Sequence, residues 1–253
     1  MISRRHFLSQ TLALVAGTLL VKPGLLFSAP FPHFFFAQIK YRGGEWDPNP
    51  QFAEAMIEEL ELRTSIDASK ERRIVTLSDP DLFFCPFLYM AGKHEFDPFS
   101  PQEREILKRF LTHGGFLFAE DTMGAKGFGF DRAFRREMKA ILSNQELRRL
   151  PQEHSVYQSF YLMETVGGRL KVNPYLEGIT LDNWTPVIYC QNDLSGAWSR
   201  DRFGRWSHEC VPGGEPQRLS AFKSGINVIV YSLTSDYKKD VIHHPFIQKR
   251  KYL

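Results

Sequence analysis

The sequence predicts an α/β domain, a mostly parallel sheet with helices on both faces, and three observations carry that expectation. From residue 33 onward short apolar runs alternate with amphipathic stretches, the pattern of strands covered by helices. The connections between successive apolar runs are long enough to hold a helix, as parallel neighbours joined by right-handed crossovers require. The 253 residues, 43% hydrophobic and 14% aromatic, can fill one sizeable core, which excludes global disorder.

Each element has its own signal. An apolar run predicts a first strand over residues 34–41. Asn49 is a good N-cap and Pro50 suits the first helical position, after which Phe52, Met56 and Leu60, with Ala53 and Ile57, recur at helical spacing to about Arg63. Strands are expected at 73–77 and 84–91. Ser100-Pro101-Gln102-Glu103 is a capping box, Ile106, Leu107, Phe110 and Leu111 form one apolar stripe behind it, and Gly114 supplies the stop. A fourth strand follows at 115–119, and Asp131 is placed to cap a helix carrying Phe134, Met138, Ile141 and Leu142. Residues 185–190 and 226–233 read as later strands, whereas 145–183 and 192–224, punctuated by Pro, Gly and Trp, read as long loops with short strands. The expected domain runs from 33 to 253.

The first thirty residues form an address. Arg4-Arg5-His6-Phe7-Leu8 precedes an apolar run of 11 residues from Thr11 to Val21, too short to span a bilayer comfortably, since that takes ~20 residues. The paired arginines followed by Phe-Leu resemble the twin-arginine export signal, which implies the twin-arginine export machinery as a partner and a periplasmic or cell-envelope destination. Ser28-Ala29-Pro30 defines the cleavage site poorly, so a membrane tether through an uncleaved N-terminus stays open.

Charge excludes a further class. Lys+Arg 32 against Asp+Glu 29 gives +3, and without Arg4, Arg5 and Lys22 the balance is 29 against 29. A nucleic-acid footprint needs a basic surplus, and none is visible. Cys85, Cys190 and Cys210 form no C-x-x-C pair and read as buried thiols.

Ligands of open parallel sheets bind beyond the carboxyl ends of the strands. The expected strand exits are Arg42-Gly43-Gly44-Glu45-Trp46-Asp47, Gly92-Lys93-His94-Glu95, Glu120-Asp121-Thr122-Met123-Gly124, Gln191-Asn192-Asp193 and Ser235-Asp236-Tyr237, and each carries a carboxylate. Turn chemistry explains such residues as well as a site does. If a site exists, Asp121 at the turn after the fourth strand is its expected centre, with Glu120 and Asp47 flanking it and Glu45, Trp46, Lys93, His94, Arg42, Gly43, Gly44 and Asp193 around it. Oxygen-rich clusters of this kind serve acid–base chemistry or a hard cation, although no particular cofactor or metal is indicated. The glycines lack either phosphate-loop pattern. His243-His244 read as tail residues, and Trp46, Tyr89, Trp184, Trp198, Trp206 and Tyr237 are numerous enough to line a groove for sugars or peptides or to pack the core.

The stretches 36–47, 88–94, 114–121, 130–137, 187–194 and 225–231, taken in order, resemble the bacterial family called domain of unknown function 4159. The resemblance implies a flavodoxin-like, class I glutamine amidotransferase-like fold. Where amidotransferases carry a cysteine at the turn after the strand, this chain has Glu120-Asp121, which argues against thiolate glutaminase chemistry. The expectation is therefore an exported envelope protein with a non-catalytic ligand- or partner-binding domain, an envelope protein being one possible partner. The alternatives are an envelope hydrolase of sugar-related substrates using carboxylates or a metal, and a membrane-tethered structural subunit.

Overall fold

The computed structural model describes residues 34–85 and 87–234. The leading segment 1–30, the expected exit Ser235-Asp236-Tyr237 and His243-His244 lie outside the described residues.

The described residues form one seven-stranded sheet. Its strands are β1 (Ala37–Ile39), β2 (Arg73–Val75), β3 (Phe87–Gly92), β4 (Phe116–Asp121), β5 (Arg148–Arg149), β6 (Glu177–Leu181) and β7 (Trp184–Cys190), and they lie in the order β2-β1-β3-β4-β7-β6-β5. The first five in that order run parallel, in a register that aligns Gln38 with Tyr89, Tyr89 with Phe118, and Phe118 with Ile188. β6 and β5 close the far edge antiparallel.

Alternation along the strands sorts the core into two layers. Phe36, Phe87, Tyr89, Phe116, Phe118 and Ile188 point to one face, where they meet α1 (Phe52–Arg63), α4 (Leu194–Trp198) and α5 (Gly214–Thr234). Ala37, Leu88, Met90, Leu117 and Val187 point to the other, against α2 (Pro101–Thr112) and α3 (Gly129–Ile141). No helix among the described residues is long and apolar enough to cross a membrane.

The capping box forms as its residues dictate: Glu103 N–H donates to Ser100 Oγ at 3.2 Å, and Ser100 N–H donates to the Glu103 carboxylate at 2.7 Å. Gly114 takes φ +96° just past the helix end, a conformation that suits glycine. Three expectations fail. Residues 226–233 form no strand but the second half of α5, where Ile226 through Tyr231 are all buried and Asn227 is the one polar side chain among them. A continuous apolar, β-branched run reads alike for a buried strand and a buried helix, and packing against α4 and α1 decides it. Residues 192–224 hold α4 and the start of α5 rather than only loops and short strands. Asn49 does not cap α1, which starts at Phe52 after Gln51; the Asn49 amide is used elsewhere.

Candidate functional site

Glu120 and Asp121 are the last residues of β4, and adjacent strand residues point to opposite faces. Both are fully buried. On the face of α1, α4 and α5, Glu120 accepts hydrogen bonds from Leu194 N–H at 2.7 Å, Ser195 N–H at 3.1 Å and the Tyr89 hydroxyl. Asp193 stands beside it in a left-handed conformation, φ +54°, and accepts from Gly196 N–H and from Asn49 Nδ2, each at 2.9 Å. The same Asn49 amide donates to Ser195 Oγ at 2.9 Å. Arg169 donates to the Asp193 carboxylate and, at 3.0 Å, to the Thr122 carbonyl. Two carboxylates thus hold the first turn of α4 and, through Arg169, clamp the 166–173 loop over the strand ends.

The electrostatics follow from that crowding. Burial raises the Glu120 carboxyl to about 7, and the neighbouring Asp193 pushes the same way. Burial also raises Asp193, against which Arg169 acts. Tyr89 is held well above its ordinary value by burial and by Glu120.

On the opposite face Asp121 accepts from Met123 N–H at 2.9 Å and Ala125 N–H at 3.0 Å, tying down the loop that follows its own strand. Burial raises its carboxyl, which those backbone donors oppose. Asp131 lies on this side as well. It accepts from Gly127 N–H at 2.6 Å, Arg135 at 2.9 Å, the Tyr189 hydroxyl at 2.9 Å and Gln191 at 3.2 Å. It does not cap the helix as read from sequence, because α3 starts at Gly129 after Phe128 and Asp131 lies inside the first turn; instead it joins α3 to β7.

The other predicted residues fall into separate groups. Asp47 forms a two-pronged pair with Arg72, at 2.5 and 2.6 Å, beside Gln38. Glu45 reaches Lys93 at 3.5 Å and His94 at 3.9 Å, a partly exposed cluster between the loops after β1 and β3. Arg42 lies 3.8 Å from Glu103. Gly43 pairs with Phe96 in an isolated bridge, and both Gly43 and Gly44 have positive φ. Trp46 is half-buried against the α2–α3 core layer, its carbonyl accepting from Gln38 at 2.8 Å. Glu120 and Asp121 therefore serve different faces, and Asp193, Glu120 and Tyr89 are the residues that meet. Among the described residues no group of three or more His, Cys, Asp or Glu side chains is placed to hold a metal ion.

Sequence reasoning read Asn49 only as a helix cap and missed Arg169, Ser195 and His208. Asn49 and Arg169 carry one signal that was available, a polar residue next to turn formers, Pro48 and Pro50 in the first case and Gly167-Gly168 in the second. The pairing itself depends on chain separations of 144 residues for Asn49 with Asp193 and 24 for Arg169 with Asp193. His208 borders a cleft of about 110 Å³ together with Pro48, Asn49, Pro50, Gln51, Ser199 and Ser207.

Fold and site define a class: an open α/β sheet whose strand-end carboxylates are engaged by backbone donors, with a polar cleft beside them. Within that class the chain belongs to the family described as Domain of unknown function (DUF4159), which matches residues 35–233. No curated protein matches the chain.

Proposed function

We propose that the chain is an exported, non-catalytic ligand- or partner-binding domain of the bacterial cell envelope, on a flavodoxin-like sheet of the class I glutamine amidotransferase-like type. One observation carries the reading. Glu120, Asp121 and Asp193, which stand where a catalytic group would be presented, are buried and bound to backbone N–H groups, so they brace loops instead of reaching a substrate. The parallel strand order β2-β1-β3-β4 followed by one further parallel strand supports the flavodoxin-like assignment. Burial raises the thiols of Cys85, Cys190 and Cys210 and disfavours the thiolate that a glutaminase needs. Arg4-Arg5 ahead of the 11-residue apolar run supports export by the twin-arginine route.

A second reading, a carboxylate-dependent hydrolase, is favoured by one feature: a Glu120 carboxyl raised to about 7 has the proton affinity of a general acid.

Two strains test the first reading. One carries Cys85→Ala, Cys190→Ala and Cys210→Ala together and should grow as wild type. The other carries Arg4→Lys and Arg5→Lys and should retain the protein in the cytoplasm on fractionation. A functional defect in the first strain at wild-type protein level, or undiminished export in the second, overturns the corresponding half of the reading.

A further inference from the structure

The cleft bordered by Asn49 and His208 lies directly above the bracing network, since the Asn49 amide is bonded to Asp193 and Ser195 beneath it. Around it, the side chains of Gln51, Ser207 and His208 have no hydrogen-bond partner among the described residues, and they are unoccupied donors and acceptors at an open surface. None brings a charge. Asn49, Gln51 and Ser207 are neutral groups, and His208 is held below its ordinary value by partial burial and by Arg169, so it is neutral at pH 7.

A second depression of about 330 Å³ continues along α1 and the 200–204 loop, and Gln51 borders both. Three of its five charged residues are paired within the protein, Glu58 with Arg200 at 3.0 Å and with Lys70 at 3.1 Å, and Asp201 with Arg205 at 2.8 Å, and the other two, Glu54 and Arg202, are of opposite sign. The joined surface thus offers neutral hydrogen-bonding groups at one end and charges that balance in sign along the rest. Peptides bind in grooves with apolar pockets or on free sheet edges, and this surface is neither. Trp206 has Arg200 at 4.6 Å and Arg218 at 4.4 Å over its ring, so it is engaged by the protein's own cations. Pro48 and Pro50 remain as rigid apolar edges for the C–H faces of a sugar ring.

We infer that this cleft binds a neutral glycan bearing hydroxyl and amide groups, with one residue seated among Asn49, Gln51, Ser207 and His208 and the chain running along α1. The inference rests on the binding-domain reading and names its ligand class. Neutrality follows from the lining, and an extended ligand follows from the two depressions meeting at Gln51.

Titration of the purified exported protein with chitotriose, the trimer of N-acetylglucosamine, tests it by calorimetry against an anionic control, the trimer of galacturonic acid. Chitotriose should bind saturably and the anionic trimer should not. Ser207→Ala and His208→Ala, both at exposed positions, should each weaken chitotriose about three- to tenfold, the equivalent of one lost hydrogen bond, with the melting temperature unchanged. No saturable chitotriose binding up to ~10 mM, or equal binding of the anionic trimer, overturns the ligand class. Binding that survives both substitutions overturns the cleft and leaves the binding-domain reading standing. Chitotriose bound with these sensitivities but cut to shorter sugars upholds the cleft and overturns the non-catalytic reading.

Discussion

Glu120 is a carboxyl in an apolar layer, and the proton it prefers to keep has a consequence for stability. Its ordinary value is 4.5, and in the folded chain burial and Asp193 raise it to about 7. A group that binds its proton more tightly when folded stabilises the protein fully below its unfolded value, and that contribution is lost as pH rises through the folded value. The unfolding free energy of the wild type from urea titration should therefore climb as pH falls from 8 to 5, by at most about 1.4 kcal/mol per pH unit for one proton, while Glu120→Gln lacks that part of the slope. The same pH dependence in both proteins would show that Glu120 ionises as an ordinary surface acid. At this scale the sequence was partly legible. Glu120, Asp121 and Asp193 could be selected as strand-end carboxylates, because alternation and turn residues locate strand ends. Their division between two faces also follows from a two-residue repeat, yet the partners, Asn49 and Arg169 for Asp193 and Tyr89 for Glu120, arise from distant chain segments meeting in three dimensions.

α2 and α5 show what an element reveals of itself. The first carries its start signal within four residues, and Ser100 and Glu103 make both reciprocal bonds. The second is apolar around much of its circumference in its latter half, so period is uninformative and tertiary packing decides. Its placement depends on one close approach: a Cβ added at Gly225 would stand 2.4 Å from the Trp198 ring and 3.0 Å from Met56 Sδ. Helix propensity alone favours alanine over glycine by about 1 kcal/mol. Gly225→Ala should nevertheless destabilise the protein by roughly 1–3 kcal/mol, because α5 must move off α4 and α1 to admit the methyl. Chemical denaturation checks this, and a stabilised variant would mean that the three helices do not pack through this position.

Across the whole molecule, five parallel strands bring the loops after β1, β3, β4 and β7 to one edge, and the polar residues there are bound mainly to one another and to backbone. The order of the first four strands was legible only as a class, since spacing predicts parallel crossovers but not which strand neighbours which. β5 and β6 were legible only as short strands without positions inside 145–183, because two- and five-residue strands in a stretch broken by Pro and Gly leave little periodicity. An edge built of braces is suited to hold a binding surface rigid. Asp121→Asn tests it most directly, with the thermal midpoint of the purified protein and the growth of a strain carrying only this variant measured together. Losing one of the backbone bonds to Met123 and Ala125 should cost about 1 kcal/mol, a midpoint lower by roughly 2–4 °C, with function retained at matched protein level. An unchanged midpoint with function abolished would make Asp121 a reacting group and contradict the account.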